Sequence, residues 1–196
     1  MPVTDLRQRL QDALSRDGGA SSDFDLNKDV PIPERRLTPA GVLIGISAVD
    51  ETVVLTKRSA RLKHHPGQIA FPGGRQDPTD ASPTAAALRE AWEEIGLPPD
   101  VVDVIGTLPA HQTVTNYHVT PVLGLIRGGY EKIAEAGEVS EIFEVPLAHL
   151  MNPANYRVEG RHWQGRRRYY YAVPYGPYYI WGATARILRA LAERMR

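Results

Sequence analysis

The sequence contains no cysteine. That absence removes disulfides, zinc–thiolate sites, iron–sulfur clusters and cysteine nucleophiles together. It agrees with a reducing compartment, where thiols are not recruited into crosslinks. Net charge is also lacking: 23 Lys and Arg face 23 Asp and Glu. Proteins that bind polyanions through bulk attraction carry a net basic charge, so general binding to nucleic acid or an anionic membrane is disfavoured. Phosphate handling therefore has to come from a local patch. Long hydrophobic runs are missing too. The longest apolar stretch, residues 41–49, is about half a membrane span. Residues 1–20 mix acids with bases and hold no apolar core of signal-peptide length, so no secretion signal is expected. The final Arg-Met-Arg is not a peroxisomal tripeptide. There is no internal repeat and no low-complexity tract. A soluble, cytoplasmic protein with no nucleic-acid or membrane partner is expected.

What is present is ordinary globular composition: 196 residues, 42% hydrophobic and 23% charged. That is enough for one real core and short for two. Residues 3–16 carry Val3, Leu6, Leu10 and Leu14 at helical spacing, and the Gly-Gly at 18–19 ends the pattern. Residues 23–37 are polar, hold Pro31 and Pro33, and read as an arm or linker. Strand-like runs follow at 40–48, 52–56, 69–71, 101–108, 119–126 and 142–145. A helix is expected at 83–95 and another at about 182–195. Residues 156–171, with Gln164-Gly165 inside, read as a hairpin. The chain divides into an N-terminal helix and arm, 1–34, and a main domain, 35–196. Many strands with two or three helices indicate a layered α/β or α+β fold.

The helix at 83–95 holds the most informative pattern. Ser82 is placed to cap it, Pro83 suits its first position, and Gly96 suits its end. Leu88, Trp92 and Ile95 fall on one face with Ala85 and Ala91. Glu90, Glu93 and Glu94 project from the other side. Steps of three and four residues bring these acids within about 5–6 Å at Cβ. Such like charges repel unless a cation lies between them, and an oxygen-preferring divalent ion does that well. The plainer reading is a solvated acidic face with Arg89 paired to Glu93. The context favours the first reading. Phe71-Pro72-Gly73-Gly74 precedes the helix as a turn where backbone approaches a ligand closely, and the helix start offers free N–H groups to an anion.

Gly74, followed by Arg89-Glu90-Ala91-Trp92-Glu93-Glu94-Ile95-Gly96-Leu97, closely resembles the Nudix box of the Nudix hydrolases. That resemblance implies an α/β/α sandwich around a mixed sheet. It also implies Mg²⁺- or Mn²⁺-dependent cleavage of a nucleoside diphosphate linked to another moiety. One departure stands out. The box has Gly, five residues, Glu, seven residues, Arg. Here Asp80 follows the first five, and eight residues then precede Arg89; counting back from Arg89 reaches Ala81 instead. The first acid is therefore either Asp80 or displaced, and it receives no role.

Upstream, Leu55-Thr56-Lys57-Arg58-Ser59 leads through Lys63 and Pro66-Gly67 to the same Phe71-Pro72-Gly73-Gly74. This stretch is similar to the extra motif of the coenzyme A pyrophosphatase subgroup, with Lys63 standing where Arg is usual. Lys keeps the charge and loses the planar two-pronged donor. Further matches lie at 115–117, 120–122, 138–147 and 180–184, so the resemblance covers about 37–188. It implies coenzyme A, or acyl-CoA, as a small-molecule substrate, cleaved to 3′,5′-ADP and 4′-phosphopantetheine. It implies Glu90 and Glu94 as metal ligands, with Glu93 nearby as ligand or base. Arg89 would orient a carboxylate, and Glu138 and Glu141 are further candidates for the base. Substrate contacts would fall on Arg58, Arg61, Lys63, His65, Gly67, Phe71, Gly73 and Gly74. The basic cluster of Arg58, Arg61, Lys63, His64 and His65 suits so anionic a ligand, although strand-end charges are also ordinary surface features.

Three further features carry alternatives. The run 161–171 interleaves Arg with Trp and Tyr. It reads as the solvent side of a hairpin with its aromatics packed inward, as a base- and phosphate-binding strip, or as a contact for the adenine or pantetheine end. His111 and His118 are left out of the metal site, because a hard cation prefers oxygen. The tyrosines at 169–171, 175, 178 and 179 read as packing for the last helix, or as an apolar wall for pantetheine. Competing functions are a pyrophosphatase for ADP-ribose or a dinucleoside polyphosphate, a silent Nudix-fold nucleotide- or RNA-binding module, and RNA decapping. Oligomeric state is open, a homodimer included.

Overall fold

The computed structural model describes residues 3–32, 36–163 and 165–196. The expected boundary at 34/35 and Gln164 of the hairpin turn fall outside these, as do the side chains of Val3 and Trp163. The elements run α1 (Val3–Ser15), β1 (Ser21–Ser22), β2 (Thr38–Ser47), β3 (Thr52–Arg58), β4 (Ile69–Ala70), β5 (Gly73–Arg75), α2 (Pro83–Ile95), β6 (Val102–Thr107), β7 (His111–Gln112), β8 (Tyr117–Ile126), β9 (Val139–Pro146), α3 (Leu147–Leu150), β10 (Arg157–Trp163), β11 (Arg166–Ala172) and α4 (Ala183–Arg194). The expected strands, hairpin and helices all form, with ends shifted by a few residues.

Among the described residues a mixed nine-stranded sheet is the central element. At its centre β2 runs parallel to β8 and antiparallel to β3 and β5. Side chains on one strand point alternately to the two faces, and the core divides accordingly. Ile44 and Ile46 of β2, with Leu123 and Leu125 of β8, face a core shared with α1 and α4. Leu43 of β2, with Val122 and Ile126 of β8, faces a second core against α2. This is the α/β/α sandwich around a mixed sheet. The hairpin β10–β11 forms a separate two-stranded sheet.

The N-terminal residues belong to this architecture. Leu6, Leu10 and Ala13 of α1 are buried in the same core as Leu188 and Leu191 of α4. The polar stretch that follows is tied down: β1 pairs with β7 in parallel, Phe24 is buried and Asn27 is 4% exposed. Among the described residues no helix is long and apolar enough to cross a membrane.

Helix α2 has the expected ends. The Ser82 hydroxyl accepts from the Ala85 N–H at 3.2 Å, Pro83 occupies the first turn, and Gly96 closes the helix at φ 69°. Its buried face holds Ala91 and Ile95 as expected, with Leu88 packed against the core, and corrects the sequence reading at Trp92 and Glu94. Trp92 is 53% exposed, whereas Ala86, Ala87, Ala91, Ile95 and Glu94 are buried. The reason is close approach. A Cβ on Gly41 of β2 would meet the Pro83 carbonyl oxygen at 1.8 Å and the Ala87 nitrogen at 3.1 Å, so the first turns of the helix lie directly on the strand there. The helix therefore turns its alanines inward, sends Trp92 to solvent, and carries Glu94 and Glu90 toward the Gly73-Gly74 turn instead of away from it.

Candidate active site

The turn before α2 needs glycine for steric reasons. Gly73 sits at φ 148°, and a Cβ there would lie 2.4 Å from the Gly41 carbonyl oxygen. With the chain so close, the Gly73 N–H donates to Glu94 Oε2 at 3.1 Å. A Cβ on Gly74 would meet the Glu90 carboxyl at 2.6 Å. The two glycines thus make the slot that receives Glu90 and Glu94, one helical turn apart.

Burial pushes the Glu94 carboxyl up to about 7, and the neighbouring Glu90 and Glu138 charges add to it; the Gly73 N–H and Arg58 oppose the rise. Glu90 is raised for the same first reason, burial, tempered by Arg89. Two partly desolvated carboxylates whose negative charges disfavour one another form an oxygen donor set suited to a hard divalent cation, which keeps water and phosphate oxygens as its other ligands.

Arg89 organises the outer side of this site. Its Nε and Nη2 donate to Asp80 Oδ1 and Oδ2 at 3.1 and 2.9 Å. Its Nη1 donates to Glu90 Oε1 at 2.9 Å and to Glu93 Oε2 at 3.0 Å. Asp80 also accepts from the Asp77 N–H at 2.8 Å. These hydrogen bonds, Arg89's first, hold the Asp80 carboxyl below the usual range. Asp80 is therefore the carboxylate opposite Arg89. The extra residue between them is absorbed after Asp80, where Ala81 is exposed. Sequence spacing left this acid unassigned; its position after the five residues that follow Gly74 was the signal.

The other expected residues separate into groups. Glu93 is half exposed and held by Arg89. Glu138 lies in the turn before β9 and adds its charge to both Glu90 and Glu94. Glu141 lies on β9 and accepts from the Tyr178 hydroxyl. Arg58, His65, Phe71 and Gly73 line a cavity of about 380 Å³. Burial, then the Arg58 charge, pushes the His65 imidazole down. Arg61, Lys63, His64 and Gly67 are exposed on the loop beyond. Gly67, at φ 69°, turns that loop and donates its N–H to the Arg58 carbonyl at 3.1 Å.

The same cavity is walled by the 161–171 run, for which a substrate contact is one of the alternatives, and by residues 181–187. Arg161 and Tyr170 of the hairpin line it with Trp181. The Arg161 guanidinium lies 4.5 Å from the Trp181 ring centroid, and Tyr170 tilts against that ring at 5.0 Å. The inward packing expected of the hairpin aromatics holds for Tyr171, which lies under Arg186 and Arg189 of α4, but Tyr169 is exposed. His111 is fully enclosed between the Ser21 hydroxyl at 2.8 Å and Asp23 at 3.1 Å, a structural place apart from the carboxylates.

The cavity and the carboxylates of α2 meet at Gly73, which lines the cavity and whose N–H holds Glu94. The NUDIX domain model matches residues 37–170. The protein described as uncharacterized Nudix hydrolase NudL of Cronobacter sakazakii (strain ATCC BAA-894) is 46% identical over 154 residues, 78% of this chain and 80% of the relative. Its namesake in Escherichia coli (strain K12) is 46% identical over 140 residues, covering 71% and 73%. A crystal structure of MutT protein from Methanosarcina mazei Go1 aligns with a TM-score of 0.48 and 21% identity, covering 61% of this chain and 84% of that one. The chain belongs to the Nudix hydrolase family, whose members act on diphosphates and generally use divalent metal ions.

Proposed function

We propose that the protein hydrolyses the pyrophosphate bond of coenzyme A, and of acyl-CoA, to 3′,5′-ADP and 4′-phosphopantetheine. The observation that carries this reading is the placement of Arg58 and His65, from the 55–74 motif, on the same cavity as Gly73, which holds Glu94. A pyrophosphate with a further phosphate needs cations beside a metal site; Arg58 is one, and Arg161 and Arg168 line the same cavity.

Glu90 and Glu94 are the residues to hold Mg²⁺ or Mn²⁺. A bound divalent ion supplies neutralisation of phosphate charge and a more acidic water. Arg89, braced by Asp80, fixes the Glu90 and Glu93 carboxylates by charge-assisted hydrogen bonds. Arg58 offers its guanidinium to a phosphate oxygen. A carboxylate takes the proton of the attacking water. Glu138 is the better placed for this, because its charge reaches both metal-site acids while Glu93 is occupied by Arg89.

The test compares kcat/KM for coenzyme A, dephospho-coenzyme A, ADP-ribose and capped RNA with Mg²⁺ or Mn²⁺. Preference for coenzyme A over its dephospho form supports recognition of the 3′-phosphate. Equal rates on those two remove that role from the basic residues. A preference for ADP-ribose or RNA overturns the substrate assignment.

A further inference from the structure

The charges that line the cavity do not balance. Asp23 and Asp25 are the acids of its lining, and both are engaged. Asp23 accepts from the Val114 N–H at 2.9 Å and lies 3.1 Å from the His111 imidazole. Asp25 accepts from Arg186 Nε of α4 at 2.7 Å. Arg58, Arg161 and Arg168 line the same cavity. Among the described residues, no carboxylate lies within ion-pair distance of Arg58 or Arg161.

The hairpin sets two of these cations side by side. Arg161 of β10 stands directly opposite Arg168 of β11, and residues so placed share one face of the ribbon. Like charges there destabilise it unless an anion lies between them. Glu159, two residues along the same face, is taken by the Tyr179 hydroxyl at 2.6 Å. Arg161 is held in place without being neutralised: its guanidinium lies 4.5 Å from the Trp181 ring centroid, and Tyr170 tilts against that ring at 5.0 Å. A guanidinium stacked on an aromatic ring keeps its in-plane N–H groups for a two-pronged contact with phosphate. The ribbon itself is anchored to the N-terminal arm. Asn27, 4% exposed, donates to the Tyr169 carbonyl at 2.9 Å and accepts from the Tyr169 N–H at 2.8 Å.

We infer that Arg161, seated on Trp181 and opposite Arg168, is a specificity-determining residue for a second phosphate of the substrate, separate from the diphosphate beside Gly73. Under the coenzyme A reading, on which the identity of the ligand rests, this group is the 3′-phosphate. Trp181 is the positioning residue that aims the guanidinium.

The experiment uses the full chain with Mg²⁺. Binding of adenosine 3′,5′-bisphosphate and of AMP, which lacks the 3′-phosphate, is measured by calorimetry for wild type, Arg161→Ala and Arg161→Lys, with circular dichroism to confirm folding. Wild type is expected to bind the bisphosphate about tenfold more tightly than AMP, the scale of one charge-assisted hydrogen bond. In Arg161→Ala the two affinities are expected to come within about twofold of each other. Arg161→Lys falls between, because Lys keeps the charge and loses the fork. The kcat/KM ratio of coenzyme A to dephospho-coenzyme A is expected to fall in parallel. A wild type without preference for the bisphosphate, or a preference that survives in Arg161→Ala, overturns the inference. Should Arg161→Ala fail to fold, Arg161→Gln, which keeps the stem of this exposed residue, is read in its place. A preference that Arg161→Ala removes, in an enzyme that does not turn over coenzyme A, sinks the coenzyme A reading alone.

Discussion

The carboxylate cluster on α2 and the wall of the cavity that adjoins it at Gly73 are assembled from different distances along the chain. Gly73, Asp80, Arg89, Glu90 and Glu94 all come from one turn and the helix after it. The outer wall joins Asn27, Tyr169 and Arg186, from near both ends. The first region is held by steric closeness that only glycine permits and by charge pairs a few residues apart. The second is held by main-chain hydrogen bonding and by one ion pair between segments with no local relation. A short pattern can specify the first. The second rests on pairings between distant segments, which no short pattern specifies.

The largest expected effect breaks the carboxylate side alone. Glu94→Gln is expected to lower kcat by about three orders of magnitude, the scale of lost transition-state charge stabilisation, with an unchanged circular dichroism spectrum. Near-normal turnover would remove Glu94 from the chemistry. The same substitution has a second signature. Glu94 titrates at about 7 in the fold against an ordinary 4.5, so the folded state binds this proton more tightly. Its stabilising effect is complete below about pH 4.5 and is lost as pH rises through 7. Metal-free Glu94→Gln is therefore expected to melt several degrees above wild type at pH 8, and level with it near pH 5. A Tm below wild type at pH 8 contradicts the burial argument.

A smaller effect sharpens the role of the brace. Asp80→Ala leaves the Arg89 fork without its two-pronged partner, and activity or the apparent Mg²⁺ affinity is expected to fall about 10- to 100-fold, as for other partners behind a metal ligand. An unchanged Mg²⁺ titration would make Asp80 a turn residue only. The smallest effect lies on the helix's outer face. Trp92→Ala is expected to change stability by less than about 0.5 kcal/mol, as for ordinary surface positions, measured by urea unfolding. A loss of core size would restore Trp92 to the buried face.

Much of the fold was legible. Ser82, Pro83 and Gly96 mark α2 because capping is a local matter of backbone geometry, and the apolar runs at 40–48 and 119–126 mark β2 and β8. The face of α2 was not legible. Hydrophobicity placed Trp92 inside, but the helix buries Ala87 and Ala91 against the sheet and leaves Trp92 53% exposed. Within the site, Glu90, Glu93, Glu94 and Arg89 were readable from their spacing. Asp80 was obscured by one extra residue, whose absorption into the turn is a three-dimensional event. Of the basic cluster, Arg58 and His65 line the cavity, His65 from the exposed loop at 61–67 that also carries Arg61, Lys63 and His64.

The sequence by itself determined the chemistry on offer: hard oxygen donors without thiols, an acidic helix behind a glycine turn, and cations just upstream in a chain of zero net charge. Those are local facts, set by residue type and helical repeat. Tertiary structure decided which way the helix faces, which acid braces Arg89, and how Asn27 and Arg186 close the cavity. These depend on contacts between distant segments, where the space left by one chain and the unsatisfied groups of another choose the partner.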